Sequence, residues 1–188
     1  MNLLPNFFFC GKAGVGKSYV CSYLVKKYQY TLTKFASPVY EIAKDFLNMQ
    51  GKDRKLLQMI GSDVGRDMFD QNLWVNRYYE NFKIAEITSQ RMNIPFRVVV
   101  DDCRFPDEYQ LLTELGFIGI YLEVPDEIRI KRLEGRDGTA QIETLNHKSE
   151  TQLDTFKDKL IKVDSSGTLE QTYQNLEETL EYIRQEKL

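Results

Sequence analysis

The chain has 188 residues, of which 42% are hydrophobic and 28% charged, so it is long enough for one globular domain with a sizeable core. Its net charge of −3 disfavours nonspecific nucleic-acid binding, and no apolar run approaches the ~18 residues of a membrane span. Three cysteines without a Cys-x-x-Cys pair disfavour a zinc site or a disulfide framework and suit a reducing cytoplasm: Cys10, Cys21 and Cys103.

Short apolar runs alternate with longer amphipathic ones, which is the pattern of an α/β fold. Residues 7–10 predict a buried first strand, and residues 17–28 predict the helix that follows it. A short strand is expected near residues 32–35. Proline at position 38, directly after Ser37, is typical of the first turn of a helix, so the next helix is predicted to begin there.

This next helix carries apolar residues with the three- and four-residue spacing of a core-facing stripe: Val39, Ile42, Ala43, Phe46 and Leu47. Two more helical segments are predicted over about 53–69 and 72–91. The sequence therefore predicts a mainly helical region over about 37–92.

The second half of the chain returns to alternating strands and helices. The β-branched run at 96–100 predicts a central parallel strand, and a helix is expected from Pro106 to Gly116. A strand at 117–124 is followed by a basic helix to Arg136 and then by a polar loop over 137–147.

A short last strand at 161–163 precedes the capping box of Thr168 to Gln171. This box is predicted to begin a final helix whose inward residues are Leu169, Tyr173, Leu176, Leu180 and Ile183. The total is about five strands with helices between them. The fold class predicted for residues 1–188 is a single α/β domain, a doubly wound sheet of about five parallel strands with helices on both faces.

The loop after the first strand matches G-x-x-x-x-G-K-[ST] at every fixed position: Gly11, Lys12, Ala13, Gly14, Val15, Gly16, Lys17 and Ser18. Glycines let amide N–H groups wrap a phosphate, and the helix start adds its positive dipole end. Lys17 is expected to reach the β- and γ-phosphates, and Ser18 to offer its hydroxyl to Mg²⁺. The alternative, a glycine-rich turn without a ligand, is disfavoured because motif and context agree.

A second polar group follows the strand at 96–100, namely Asp101, Asp102 and Arg104. If the strands are parallel, these residues share a sheet edge with the phosphate loop. A carboxylate there can hold the water shell of magnesium or orient an acceptor, and an arginine can bind a phosphate with two hydrogen bonds. The alternative is that one aspartate caps the turn before Pro106. We interpret Asp107 and Glu108 as electrostatic partners of the helix N-terminus.

Three arginines in the basic helix, Arg129, Arg132 and Arg136, have the spacing of one helix face that leads into the polar loop. This pattern suits a lid that closes over phosphates, and the alternative is a solvated basic surface. Trp74 beside two tyrosines could stack on a base, although spacing alone favours core packing. His147 is the only histidine, so a metal site there is disfavoured.

The arginines outside the phosphate loop indicate that a second anion is bound, as a kinase of a phosphorylated acceptor requires. No guanine-reading N-K-x-D motif is present, which disfavours a GTPase switch. The short and slightly acidic chain disfavours a helicase or motor.

Several motifs follow one another in a recognisable order. They are Gly11–Ser18, then Phe35–Val39, then Leu57–Gly61 with Arg66 and Trp74, then Asp102–Glu108, then His147–Glu150 and finally Val163–Leu169. In order and spacing they resemble the phage-type deoxynucleoside monophosphate kinases, within the nucleoside monophosphate kinase group. The resemblance covers nearly the whole chain.

This resemblance implies a lid over about 129–150, a monophosphate-binding role for the region at about 37–92, and Mg²⁺-dependent transfer of the γ-phosphoryl of ATP to a deoxynucleoside monophosphate. It implies that Arg66 and Arg104 clamp the acceptor phosphate and that Trp74 lines the acceptor site with Asp102. The expected catalytic residues are Lys17, Asp102, Arg104, Arg132 and Arg136. The doubled aspartate leaves open whether Asp101 or Asp102 joins Ser18 at the magnesium.

Two other functions stay open at this point. A related kinase could act on another phosphorylated small molecule, such as phosphomevalonate or dephospho-coenzyme A. A catalytically silent ATP-binding regulator is disfavoured because Lys17 and Ser18 are intact. We expect a cytoplasmic location, in the host if the chain is phage-encoded, with neither a nucleic-acid nor a membrane partner, and a homodimer is left open.

Overall fold

Five strands form one sheet in which every neighbouring pair is parallel, in the order β2-β3-β1-β4-β5. The structure is a computed structural model that describes residues 4–137 and 152–186. The strands are β1 (Phe7–Cys10), β2 (Thr31–Thr33), β3 (Val98–Val100), β4 (Ile118–Glu123) and β5 (Ile161–Asp164). The predicted fold class is confirmed.

Helices connect the strands, and two of them continue as wider π-helical turns. They are α1 (Lys17–Tyr28), α2 (Ser37–Glu41) with its π-helical extension Ile42–Phe46, α3 (Arg54–Gln58) with its extension Met59–Phe69, α4 (Leu73–Met92), α5 (Pro106–Glu114), α6 (Asp126–Asp137) and α7 (Leu169–Glu186). Two 3₁₀ turns, Gln152–Thr155 and Lys157–Lys159, precede β5. Within the described residues, no helix is both long and apolar enough to cross a membrane.

Helices cover both faces of the sheet because successive residues of a strand point to opposite sides. Phe7 and Phe9 pack on one face against α1 and α7, in a cluster that includes Val20, Leu24, Leu176 and Leu180. Phe8 and Cys10 pack on the other face against α4 and α5, in a cluster that includes Tyr78, Phe82, Leu112 and Phe117. Burial of side chains this large is worth about 1.5–3 kcal/mol each, which makes this two-layered packing the main support of the sheet.

The final helix begins as predicted. The Thr168 N–H donates to Gln171 Oε1 at 2.8 Å, and the Gln171 N–H donates to Thr168 Oγ1 at 3.2 Å. Of its predicted inward stripe, Leu176, Leu180 and Ile183 are buried, whereas Tyr173 is half-buried. Leu169 is 40% exposed, so its assignment to the core is wrong.

The stripe predicted for α2 is correct for the first turn and wrong for the second. Val39 and Ala43 are buried, but Phe46 is 81% and Leu47 51% exposed. The physical reason is the π-helical extension Ile42–Phe46, where i→i+5 hydrogen bonding changes the angle between successive side chains. Residues at a spacing of 3.6 then no longer share one face.

Candidate active site

The phosphate loop lies between β1 and α1 and has a backbone conformation that depends on glycine. Gly16 caps α1 with φ 98°, and Gly14 has φ 90°. A Cβ added at Gly14 would lie 2.7 Å from the carbonyl oxygen of Arg129. The loop therefore needs glycine both for its positive φ angles and for its close approach to α6.

Lys17 bridges this loop. Its Nζ donates to the carbonyl oxygen of Gly11 and, at 3.2 Å, to that of Lys12. The Lys12 side chain instead lies 3.8 Å from Asp126, outside the cleft described below. The phosphate-binding role that the motif predicts for Lys12 stays a prediction.

Asp101 follows β3 directly and contacts the phosphate loop. Its Oδ2 accepts hydrogen bonds from Ser18 Oγ at 3.3 Å and from Lys34 Nζ at 3.0 Å. Its Oδ1 is buried and has no hydrogen-bond partner among the described residues. An orphaned carboxylate oxygen beside the motif serine is the donor set that a hard cation such as Mg²⁺ prefers, so Ser18 and Asp101 fit a magnesium site.

Asp102 faces a different element. Its carboxylate accepts hydrogen bonds from the N–H groups of Phe35 at 3.1 Å and Ala36 at 2.9 Å. Burial, together with the charge of Asp101, raises the pKa of Asp102 to about 6, although the two N–H groups oppose this rise. The two aspartates therefore separate, with Asp101 on the phosphate loop and Asp102 on the segment after β2.

The alternative that an aspartate caps the turn before Pro106 is wrong, because Glu108 does so. Its Oε2 accepts hydrogen bonds from the Arg104 N–H at 2.7 Å and the Phe105 N–H at 3.1 Å. The interpretation of Glu108 as a partner of the helix N-terminus is thus correct but incomplete, because its other oxygen pairs with an arginine.

That arginine is Arg66, which was expected to clamp an acceptor phosphate. Its guanidinium donates to Glu108 Oε1 at 2.6 Å and to Asp107 Oδ2 at 2.5 Å, and it lies 4.1 Å from the centre of the Phe105 ring. The side chain is 5% exposed, yet it still borders the cleft. Arg66 belongs to a buried ion cluster that joins the extension of α3 to α5, and its contact with an acceptor phosphate stays a prediction.

The arginines of the basic helix α6 differ in burial and in hydrogen-bond partners. Arg129 is buried and donates to Asp126 within the same helix, at 2.5 Å from Nε to Oδ1. Arg132 reaches the cleft and donates to the carbonyl oxygens of Ser165 at 2.9 Å, Ser166 at 3.1 Å and Gly167 at 3.0 Å. These two side chains have separate partners, and the single cationic face expected of the three arginines stays a prediction. The side chain of Arg136, His147 and the lid loop lie outside the described residues.

Trp74 both packs in the interior and borders the cleft, so the two interpretations of it are compatible. It is 7% exposed, packs with Val39 and Ile60, and donates from Nε1 to the carbonyl oxygen of Gly61 at 2.6 Å. A Cβ at Gly65 would lie 2.6 Å from its ring, so that glycine makes room for the indole.

One continuous cleft of about 750 Å³ joins these features. Its walls are the phosphate loop from Ala13 onward, the ends of β2, β3 and β5, and the helical region. Its basic side chains outnumber its acidic ones and comprise Lys17, Lys34, Lys52, Arg54, Arg66, Arg104 and Arg132; the carboxylates are Asp101, Asp102 and Glu108. The cleft is therefore suited to more than one anionic group.

Sequence analysis assigned no site role to several residues that line the cleft: Lys34, Tyr40, Lys52, Arg54 and Gln58. Lys34 was overlooked because the predicted end of the second strand was misplaced. The predicted strand at 32–35 would have included it, whereas β2 ends at Thr33 and leaves Lys34 beyond the sheet edge. Tyr40, Arg54 and Gln58 stand on α2 and α3, whose orientation the sequence does not reveal, and Lys52 lies in the loop before α3.

Comparison with known proteins places the chain among P-loop proteins. A family model described as an AAA domain matches residues 8–153. A protein named "Uncharacterized protein ORF77" from Ictalurid herpesvirus 1 (strain Auburn) is 29% identical over 153 residues, which is 80% of this chain but only 59% of that protein. A protein named "Putative deoxynucleotide monophosphate kinase" from Acanthamoeba polyphaga mimivirus is 25% identical over 189 residues, covering 88% of this chain and 91% of that one.

Solved structures share the architecture. A gluconokinase from Sinorhizobium meliloti 1021 has a TM-score of 0.58 at 16% identity, covering 98% of this chain and 96% of its own. A shikimate kinase from Bacteroides thetaiotaomicron has a TM-score of 0.60 at 15% identity, covering 94% and 98%. At these identities the likeness shows a P-loop kinase fold and does not identify a substrate.

Proposed function

The chain belongs to the AAA domain family, and from this premise we propose that it is an ATP-dependent kinase of a deoxynucleoside 5′-monophosphate. The reaction would give ADP and a deoxynucleoside diphosphate. The observation that carries the proposal is that one continuous cleft runs from the phosphate loop to Arg104 and Trp74. Its arginines exceed what ATP alone needs, and the mimivirus relative bears the name of such a kinase.

On the donor side, Lys17 and the loop amides bind the β- and γ-phosphates. Ser18 and Asp101 are the residues that would hold Mg²⁺, which when bound neutralises phosphate charge. We assign this role to Asp101 over Asp102 because only Asp101 touches Ser18 and carries the unpartnered oxygen. Arg132, fixed to the carbonyl groups after β5, shapes the donor end of the cleft.

On the acceptor side, Arg104 binds the monophosphate, and Trp74 forms part of the wall near the base. Asp102 holds the segment of Phe35 and Ala36 in place between the two substrates. An acceptor phosphate oxygen attacks the γ-phosphorus in line, and the bond from that phosphorus to the bridging oxygen of ADP breaks. Arg66 supports this side indirectly by fixing the start of α5 through Glu108.

A coupled assay of ADP release tests the proposal directly. With MgATP present, at least one of the four common deoxynucleoside monophosphates should raise ADP release far above the rate without acceptor. The matched control is Lys17→Met, which should abolish turnover because the β- and γ-phosphates lose their cation.

Phosphomevalonate and dephospho-coenzyme A belong in the same assay as competing acceptors. Turnover with one of them and with no deoxynucleotide would refute the acceptor that we assign. MgATP binding without acceptor-dependent ADP release would instead indicate the non-catalytic regulator.

A further inference from the structure

Lys34 and Asp101 are neighbours because of the strand register. Thr33, the last residue of β2, is paired with Val100, the last residue of β3. Lys34 therefore follows β2 and Asp101 follows β3 at the same level of the sheet. Both lie just beyond the sheet edge that borders the cleft. Their Nζ and Oδ2 atoms are 3.0 Å apart.

The two partners differ in their freedom to move. The Asp101 side chain is 4% exposed and held in place, whereas the Lys34 side chain is 37% exposed and borders the cleft. The Lys34 main chain is anchored, because the next two N–H groups bind Asp102. Its ammonium group sits on a flexible four-carbon stem and can reach another anion without moving the backbone.

The Asp101 oxygen that binds Lys34 also accepts the Ser18 hydroxyl, at 3.3 Å. A divalent cation at Ser18 and Asp101 therefore repels the Lys34 ammonium and competes with it for the same carboxylate. Phosphates of a bound donor and acceptor lie in the same cleft and offer the displaced ammonium a new partner. Lys34 is thus paired with Asp101, and the phosphates of the proposed substrates would bring a second set of anions within its reach.

We propose that Lys34 is a further catalytic residue that exchanges Asp101 for the transferred phosphoryl group. In the loaded site its Nζ contacts a non-bridging oxygen of that group and stabilises the negative charge there during transfer. No bond to Lys34 forms or breaks. The proposal rests on the proposed function, since it assumes a phosphoryl group passing through the cleft.

The test compares Lys34→Met, which keeps the length and removes the charge, with Lys34→Arg, which keeps a cation. The matched control is Lys162→Met, which removes another half-exposed lysine paired with carboxylates, at 3.3 Å from Glu123, away from the cleft. The turnover number is measured with saturating MgATP and deoxynucleotide. Binding of a fluorescent ATP analogue is titrated with Mg²⁺ in the absence of acceptor.

Lys34→Met should lower kcat by about 10²- to 10³-fold, the usual loss for one preorganised donor to the reacting group. The kcat of Lys34→Arg should be at least about tenfold higher than that of Lys34→Met, because arginine still supplies a cation. The Mg²⁺ concentration for half-maximal analogue binding should fall about two- to fivefold in Lys34→Met, since the ammonium no longer competes for Asp101. Lys162→Met should change neither quantity.

A kcat of Lys34→Met within about threefold of the unmodified enzyme would overturn the proposal, because no reacting group would then depend on Lys34. A rise in the Mg²⁺ midpoint would also overturn it, since Lys34 would then serve only to hold Asp101 in position. If the unmodified enzyme phosphorylates no deoxynucleotide, the proposed function fails separately. The Mg²⁺ titration needs no acceptor and would still test the exchange between Lys34 and Asp101.

Discussion

The adjacent residues Asp101 and Asp102 have different partners, although they have the same side chain. Asp101 binds Ser18 and Lys34 through its carboxylate, whereas Asp102 binds two backbone N–H groups. Asp101 lies in a bend directly after β3 and Asp102 lies beyond it, so these neighbours in sequence meet different surroundings. At the scale of single residues, this separation places one carboxylate at the phosphate loop and the other at the segment after β2.

The raised pKa of Asp102, about 6 against an ordinary 3.8, makes a prediction about stability and pH. Burial penalises the charged form in the folded state, so the folded protein binds the proton more tightly than the unfolded chain does. The contribution of Asp102 to stability is therefore fully present below about pH 4 and is lost as the pH rises through about 6. Asp102→Asn removes this titration.

Chemical denaturation of both proteins between pH 4 and 8 without Mg²⁺ provides the measurement. The difference in the free energy of unfolding, unmodified protein minus Asp102→Asn, should fall by up to about 3 kcal/mol as the pH rises across that range. A difference that stays constant with pH, or that rises, would contradict the assignment of the raised pKa to this carboxyl.

Helix elements are joined by buried charge as well as by apolar packing. The extension of α3 supplies Arg66, and the first turn of α5 supplies Asp107 and Glu108. Glu108 also caps α5 through the N–H groups of Arg104 and Phe105. One carboxylate thus fixes the start of α5 and its distance to the helical region, and with them the position of Arg104.

A double-mutant cycle on this ion cluster tests its role. Arg66→Met should lower the free energy of unfolding by about 3–5 kcal/mol, because it leaves the buried Glu108 without its counter-charge. Glu108→Gln should cost less, because Arg66 keeps its ion pair with Asp107. The combined variant should lose clearly less than the sum of the two, since it leaves neither charge alone. Thermal and urea unfolding give these values.

The matched control for that cycle is Arg184→Met with Glu181→Gln, a half-exposed pair on α7 at 2.7 Å. Loss of this pair should cost less than about 1 kcal/mol. Full additivity at Arg66 and Glu108 would show that the two side chains do not act as one unit.

At the scale of the whole molecule, the parallel sheet brings distant segments to one edge. The phosphate loop follows β1, the two aspartates follow β3, Lys34 follows β2, and the segment from Ser165 follows β5. Ser165 Oγ donates to the carbonyl oxygen of Val15 at 2.9 Å and so ties the last of these to the phosphate loop. A ligand in the cleft touches several of these connections at once and should stabilise the whole domain.

Ligand-induced stabilisation can be measured by thermal unfolding with MgATP, with a deoxynucleoside monophosphate, or with both. Either ligand alone should raise the melting temperature, and a concentration of 100 times Kd corresponds to about 2.7 kcal/mol. Lys17→Met should lose the response to MgATP and keep most of the response to the monophosphate. Equal loss of both responses would mean that the two ligands do not occupy separate halves of the cleft.

The sequence by itself determined the features that depend on local patterns. Apolar runs and their spacing predicted the strands and most helices, the G-x-x-x-x-G-K-[ST] motif predicted the phosphate loop, and Thr168 with Gln171 predicted the start of α7. These features could be predicted because each depends on residues within a few positions of one another. The parallel sheet followed from the alternation of elements.

Only the tertiary structure decided which partner each polar side chain finds. Arg66 was expected at an acceptor phosphate and is paired with Glu108, 42 positions later. Lys34 was given no role from the sequence, yet it forms an ion pair with Asp101 where β2 and β3 end. Phe46 was placed in the core and is exposed, because a π-helical turn changed the period. Such outcomes depend on register, burial and competition among charges far apart in the chain, and one-dimensional spacing carries no information about these.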